Sequence, residues 1–200
     1  MKTIRYTKMD SDKIIELLNR GGLLAMPTDT VFGLACMMDE QAIARVYEAK
    51  GRSFDKPLPM MCSSKKMISE VAKISEEAEK IIDRFMPGAL TIVFAKKETV
   101  ADYITNGRKT IGIRMPDDDF ILSLIEKLGK PLMVTSANIS GNGSLTRWED
   151  VLSAMDGKIE GIICEDARGY KASTIIDVSG NLRLLREGPL SFNEIEECIK

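Results

Sequence analysis

The chain has 200 residues, 28 Lys and Arg against 30 Asp and Glu, a net charge of −2, and 44% apolar with 29% charged residues. That balance excludes a globally basic nucleic-acid binder and an extended disordered chain. The complete absence of histidine excludes Ser–His and Cys–His nucleophile pairs, histidine general bases and histidine metal ligands. Cys36, Cys62, Cys164 and Cys198 form no C-x-x-C pair and no zinc spacing. They read as small buried hydrophobes, and no protein metal site is expected. The length suits one domain over 1–200 that buries roughly 70% of its unfolded surface. With no signal-peptide pattern and no run of 18 apolar residues, a cytoplasmic protein with no membrane association is expected.

In chain order, Asp10 or Ser11 caps a helix turning Ile14, Ile15, Leu17 and Leu18 inward, and Gly21-Gly22 stops it. Leu23 to Met26 is a buried strand ending at Pro27. Asp39 caps a helix through Ile43, Val46 and Tyr47 to Lys50-Gly51. Residues 58–62 form a short strand, Ser75 opens a helix ending near Pro87-Gly88, and Leu90 to Phe94 is β-type. Thr110 to Arg114 is a strand, Asp117 to Gly129 a helix, and Pro131 to Thr135 another buried strand. After a polar loop over 139–146 come a helix near Trp148 to Met155, strands at 161–164, 173–178 and 182–186, and a closing helix from Ser191. The alternation predicts an α/β sheet with flanking helices.

Four polar segments follow or precede apolar strands, where ligand sites of open α/β sheets lie, and suggest one shared cleft. In Pro27-Thr28-Asp29-Thr30, two hydroxyls flank a carboxylate and suit a polar ligand or a plain Thr turn. Lys50-Gly51-Arg52, with Lys56 behind it, is expected to point two cations to one side of an extended segment, as a phosphate or carboxylate clamp. Helix-dipole decoration would look the same. Thr135-Ser136-Ala137-Asn138, followed by Ser140-Gly141 and Ser144, suits phosphates or a surface loop. Ser173-Thr174 with Arg186, and Arg114 at a strand end, complete the set. Neither G-x-x-x-x-G-K-[ST] nor G-x-G-x-x-G occurs, so residue patterns alone reach only an anion site on an α/β domain.

Eight motifs occur in order: PTDTVFGL (27–34), KGR (50–52), KPL (56–58), PGALT (87–91), IGIRMP (111–116), TSANISG (135–141), STII (173–176) and LREGP (185–189). Together they closely resemble the YrdC-like family, collinearly from about residue 12 to 190. The resemblance implies a twisted mixed sheet with a central positively charged cleft. It also implies the family's synthesis of threonylcarbamoyl-AMP and pyrophosphate from L-threonine, bicarbonate and ATP, for threonylcarbamoyl modification of adenosine in tRNA. Mg2+ would arrive with ATP, and proteins transferring the threonylcarbamoyl group to tRNA would act downstream. By the family's motifs Lys50, Arg52, Ser136 and Asn138 form the catalytic nucleotide-phosphate site, with Ser144 and Arg186 also on ATP. Thr28, Thr30, Lys56, Arg114 and Ser173 match the threonine site, with Arg114 placed to pair with the carboxylate through two hydrogen bonds. Met60-Met61-Cys62, where many synthases carry a histidine, and KTIGIRMP resemble the YciO branch. That branch implies an alternative: binding of ATP, tRNA or double-stranded RNA without synthesis. A non-enzymatic RNA-binding module would instead use Arg45, Lys50, Arg52 and Lys56 as a cationic rim on the cleft.

Overall fold

The computed structural model describes residues 2–200. It contains strands β1 (Ile4–Tyr6), β2 (Leu24–Met26), β3 (Gly33–Met37), β4 (Met60–Met61), β5 (Ala72–Lys73), β6 (Leu90–Lys96), β7 (Thr110–Arg114), β8 (Leu132–Ser136), β9 (Gly161–Ile163), β10 (Thr174–Asp177) and β11 (Arg183–Arg186). The helices are α1 (Ser11–Asn19), α2 (Glu40–Lys50), α3 (Lys65–Val71), α4 (Glu76–Phe85), α5 (Asp102–Thr105), α6 (Asp119–Leu128), α7 (Trp148–Met155) and α8 (Phe192–Ile199). Side-chain caps at Asp39, Ser64, Ser75, Asp118 and Ser191 begin five of them, each accepting from a main-chain N–H of the first turn. No helix of the described residues is long and apolar enough to cross a membrane.

The strands form one mixed sheet in the order β1-β9-β2-β3-β8-β4-β7-β6-β10-β11, with β5 paired to the far end of β6. Four neighbouring pairs are parallel (β1/β9, β9/β2, β4/β7 and β6/β10) and the others antiparallel. The expected α/β class is therefore present. The central strand β3 is the main element not anticipated from the sequence: the motif over 27–34 includes its first two residues, and 35–37 carry no pattern of their own. Its signal was a short apolar run, buried on both faces, which has no period to read. Edge strand β1, helices α3 and α5, and β5 were likewise not anticipated. In α1 only Ile14 and Leu18 are fully buried, while Ile15 and Leu17 are half-buried.

Alternation along the strands sends Leu34, Cys36, Met60, Met133, Ile113, Ile92 and Phe94 to one face, where α2, α4, α7 and α8 bury them. The other face is only partly covered. Helices α1 and α6 pack Ile14, Leu18, Ile121, Leu124 and Ile125 against Met26, Ala35, Met61, Leu132 and Val134, on the β2/β3/β8/β4 half of the sheet. No residue of β6, β7 or β10 belongs to that second core. There the outward positions include Thr91, Arg114 and Ile175, side by side in register. The absence of a covering helix over this half of the sheet is what creates the site. Phe94 is fully buried in the larger core, so Phe94→Ala is expected to lower unfolding free energy by about 3–5 kcal/mol in urea titration, with the fold retained.

Candidate functional site

Residues from all four polar segments line one cavity of about 210 Å3 on this uncovered half-face: Thr28, Thr30, Arg52, Ser136, Ser173, Arg186 and Arg114 among them. Apolar contributions come from Met61, Val134 and Ile175, and Thr91 lies on the floor. Thr91 was not singled out from the sequence. Its signal was a hydroxyl on the non-core face of an otherwise apolar strand. Of the run Met60-Met61-Cys62, only Met61 faces the cavity; Met60 and Cys62 lie in the core. Burial pushes the Cys36 and Cys62 thiols up to about 12, so both remain protonated packing groups. Cys164 and Cys198 are only half-buried, against expectation.

Arg114 is the buried charge at the centre. Nη2 donates to Asp29 Oδ1 at 2.6 Å, Nη1 to Thr30 Oγ1 at 2.6 Å, and Nε to Gly88 O at 3.1 Å. Both ion-pair side chains are nearly inaccessible, 7% exposed for Arg114 and 10% for Asp29. Burial lowers the Arg114 pKa, and Asp29 acts in the opposite direction. Three of five guanidinium N–H groups are thus engaged, leaving one on each terminal nitrogen uncommitted among the described residues. Proton directions in the neighbouring hydroxyls follow by elimination. Thr28 Oγ1 donates to Val31 O at 2.7 Å, so Thr30 Oγ1, accepting from Arg114, donates to Thr28 Oγ1 at 3.0 Å. The segment is both the Thr turn and the cavity wall. Residues 167–169 run across it: Arg168 N donates to Thr28 O at 3.0 Å. At Gly169 an added Cβ would stand 2.5 Å from Thr30 O, so only glycine permits this approach.

Lys50 corrects a sequence expectation. It ends α2, and Gly51 adopts a left-handed conformation (φ 56°), so Lys50 and Arg52 do not alternate along an extended segment. Lys50 is 1% exposed and does not line the cavity. Its ammonium donates to Asn138 O at 2.6 Å, to Asn138 Oδ1 at 3.2 Å and to Ser136 O, matching three donors with three acceptors. Asn138 is also buried, its Nδ2 donating to Ile139 O and Asn142 O, while Ser136 Oγ donates to its Oδ1 at 2.5 Å. The S-x-N motif is therefore a turn fastened by Lys50, with Ser136 alone of these three on the cavity. Arg52 does reach the cavity, held by Lys56 O and Pro57 O. Lys56 and Ser144 are exposed and off the cavity wall. Arg186 donates twice to Ser173 O, at 3.1 and 2.8 Å. Neither Arg52 nor Arg186 pairs with a carboxylate among the described residues.

The four residues of the expected cationic rim do not form one surface. Lys50 is interior, and Arg45 lies at a separate cavity beside Tyr6 and Leu17, paired with Glu160 and donating to Gly21 O. Only Arg52 and Lys56 share a neighbourhood.

Two outcomes test this geometry. Asp29→Ala leaves Arg114 buried without its counter-ion and is expected to cost about 3–5 kcal/mol of stability. Pairing it with Arg114→Met should cost less than the sum of the single changes in urea denaturation. Burial and the nearby Arg52 push the Lys50 pKa down to about 8. Between about pH 8 and the ordinary lysine value the unfolded chain binds more protons at this position than the folded one, so the group's contribution to stability rises with pH there. The stability gap between the parent and Lys50→Met should therefore widen from pH 8 to 10, read by urea unfolding at both values.

Three comparisons bear on the site. The Sua5/YciO/YrdC family model, described as "Telomere recombination", matches residues 16–188. The threonylcarbamoyl-AMP synthases of Pyrococcus abyssi and Bacillus subtilis are 44% and 36% identical, over 91% and 92% of this chain. The chain spans about half the length of these curated relatives, 55% and 54% respectively. The crystal structure of P. abyssi Sua5 complexed with L-threonine superposes with a TM-score of 0.91 at 40% identity, covering 99% of this chain and 60% of that one.

Proposed function

The chain belongs to the Sua5/YciO/YrdC family, and from that premise we propose that it is a threonylcarbamoyl-AMP synthase, condensing L-threonine, bicarbonate and ATP with release of pyrophosphate. The observation that carries the reading is Arg114: a buried guanidinium on a cavity wall with one free N–H on each terminal nitrogen. That is a site for a carboxylate. A cavity of about 210 Å3 lies below the roughly 300–1,000 Å3 usual for whole small-molecule sites. It suits an amino acid inside, with the nucleotide extending through the mouth. The relative solved with L-threonine supports the same substrate.

In this reading the threonine carboxylate meets Arg114, and Thr28, Thr30 and Ser173 surround the rest, with Lys56 nearby outside the wall. The amine attacks the bicarbonate carbon, forming a C–N bond and releasing water. A carbamate oxygen then attacks the α-phosphorus, and the bond to the pyrophosphate oxygen breaks. Such a step needs in-line placement and neutralised charge more than a protein nucleophile, which agrees with a histidine-free site. Arg52 and Arg186, free of carboxylate partners, are assigned to the phosphates, with Ser136 and Ser144 as hydroxyl contacts. Lys50 and Asn138 hold the Ser136 turn in place. Mg2+ would arrive on the nucleotide's phosphates, where it would neutralise charge. The product would supply the proteins that modify adenosine in tRNA.

Pyrophosphate release from ATP should require both threonine and bicarbonate, each omitted in turn. Arg52→Ala should lower it at least about 100-fold while the melting temperature stays near the parent's. Hydrolysis indifferent to threonine, or full activity of Arg52→Ala, would overturn this reading; RNA binding without turnover would favour the non-synthetic branch.

A further inference from the structure

Thr91 and Ser173 form a hydroxyl pair on the cavity floor. Their Oγ atoms are 2.8 Å apart, and the two residues are 4% and 5% exposed. Two hydroxyls carry two protons, and the bond between them uses one. Among the described residues neither oxygen has another acceptor to donate to; the further contact at the pair is Arg186 Nη2 donating weakly to Ser173 Oγ at 3.4 Å. One O–H donor is therefore left facing the cavity, with acceptor lone pairs beside it. A buried donor without a partner costs about 1–3 kcal/mol, so the pair is built to meet a polar group of a ligand. Because it offers both a donor and acceptors, the group it matches best is another hydroxyl.

Position narrows this further. In register, Arg114 faces Thr91 and Thr91 faces Ile175, all on the uncovered half-face. Directly opposed residues stand roughly 4.5–5.5 Å apart on a sheet. A short amino acid with its carboxylate on Arg114 therefore carries its β-substituents over Thr91 and Ile175. We propose that Thr91 is a specificity-determining residue that reads the substrate's β-hydroxyl, with Ile175, its neighbour on β10, against the methyl group. This rests on the amino-acid site assigned to Arg114 above. Sites that hydrogen-bond a substrate hydroxyl discriminate strongly against the methyl analogue, because the buried polar group is then left unpaired. The cavity thus distinguishes a β-hydroxy amino acid from one of equal size with a methyl group in its place.

The test compares kcat/KM for L-threonine and L-valine, in which a methyl replaces the hydroxyl, by pyrophosphate release in the parent, Thr91→Val and Thr91→Ser. Thr91→Val is isosteric and is expected to lower the threonine-to-valine ratio at least about tenfold, while Thr91→Ser keeps the ratio near the parent value. A ratio unchanged in Thr91→Val, with both substrates losing equally, overturns the proposal and leaves Thr91 a packing residue. Calorimetric binding of the two amino acids to the parent gives a measurement independent of the variant's folding, and equal affinities also overturn it. Absence of any threonine-dependent release or threonine binding in the parent removes the underlying amino-acid site instead, and this inference with it.

Discussion

The site depends on one buried charge. Arg114 stands at the end of a central strand, on the half of the sheet that no helix covers, yet its side chain is 7% exposed. A guanidinium taken from water costs several kcal/mol unless it is paired and hydrogen-bonded. Asp29 supplies the opposite charge, and Thr30 and Gly88 O accept two further hydrogen bonds. The turn over 28–30 is shaped by that requirement. Its hydroxyls then acquire a definite proton order, running from Arg114 through Thr30 and Thr28 to Val31 O. What compensates the charge also organises the wall.

A second interior cation performs a different task. The Lys50 ammonium joins the end of α2 to the end of β8 and the turn after it, meeting the carbonyls of Ser136 and Asn138 where the backbone leaves the sheet. Buried carbonyls need donors, and an ammonium with three N–H groups meets three oxygens at once. The two buried cations thus hold the walls, while Arg52 and Arg186, each donating to main-chain carbonyls through Nε and Nη2, line the same cavity. A chain without histidine can build a rigid polar cavity in this way, because Arg and Lys stay protonated through neutral pH.

The floor of the cavity follows from sheet register rather than from any loop. Thr91, Arg114 and Ile175 are neighbours across three strands, and Met61 lies on the fourth. Polar and apolar groups are therefore set at fixed intervals of about 5 Å, a spacing on the scale of one small amino acid.

The sequence by itself determined the α/β class and most of the helices. Caps such as Asp39, Ser75 and Ser191 and stops such as Gly51 and Gly129 are local chemistry, legible without the fold. It also determined which segments meet, since all four polar stretches reach one cavity. Strand β3 was hidden because burial on both faces removes the alternation that marks a strand. The roles of the charged residues were decided only by tertiary structure. Lys50 and Arg52 are two residues apart, but one points into the protein and the other at the cavity. Asp29 became a counter-ion, and Arg45 went to a different cavity altogether. Thr91 became prominent only when β7 and β10 flanked it. Local sequence sets backbone preference, whereas the direction and partner of a charged side chain depend on which distant segments desolvate it, and those meet only in the folded sheet.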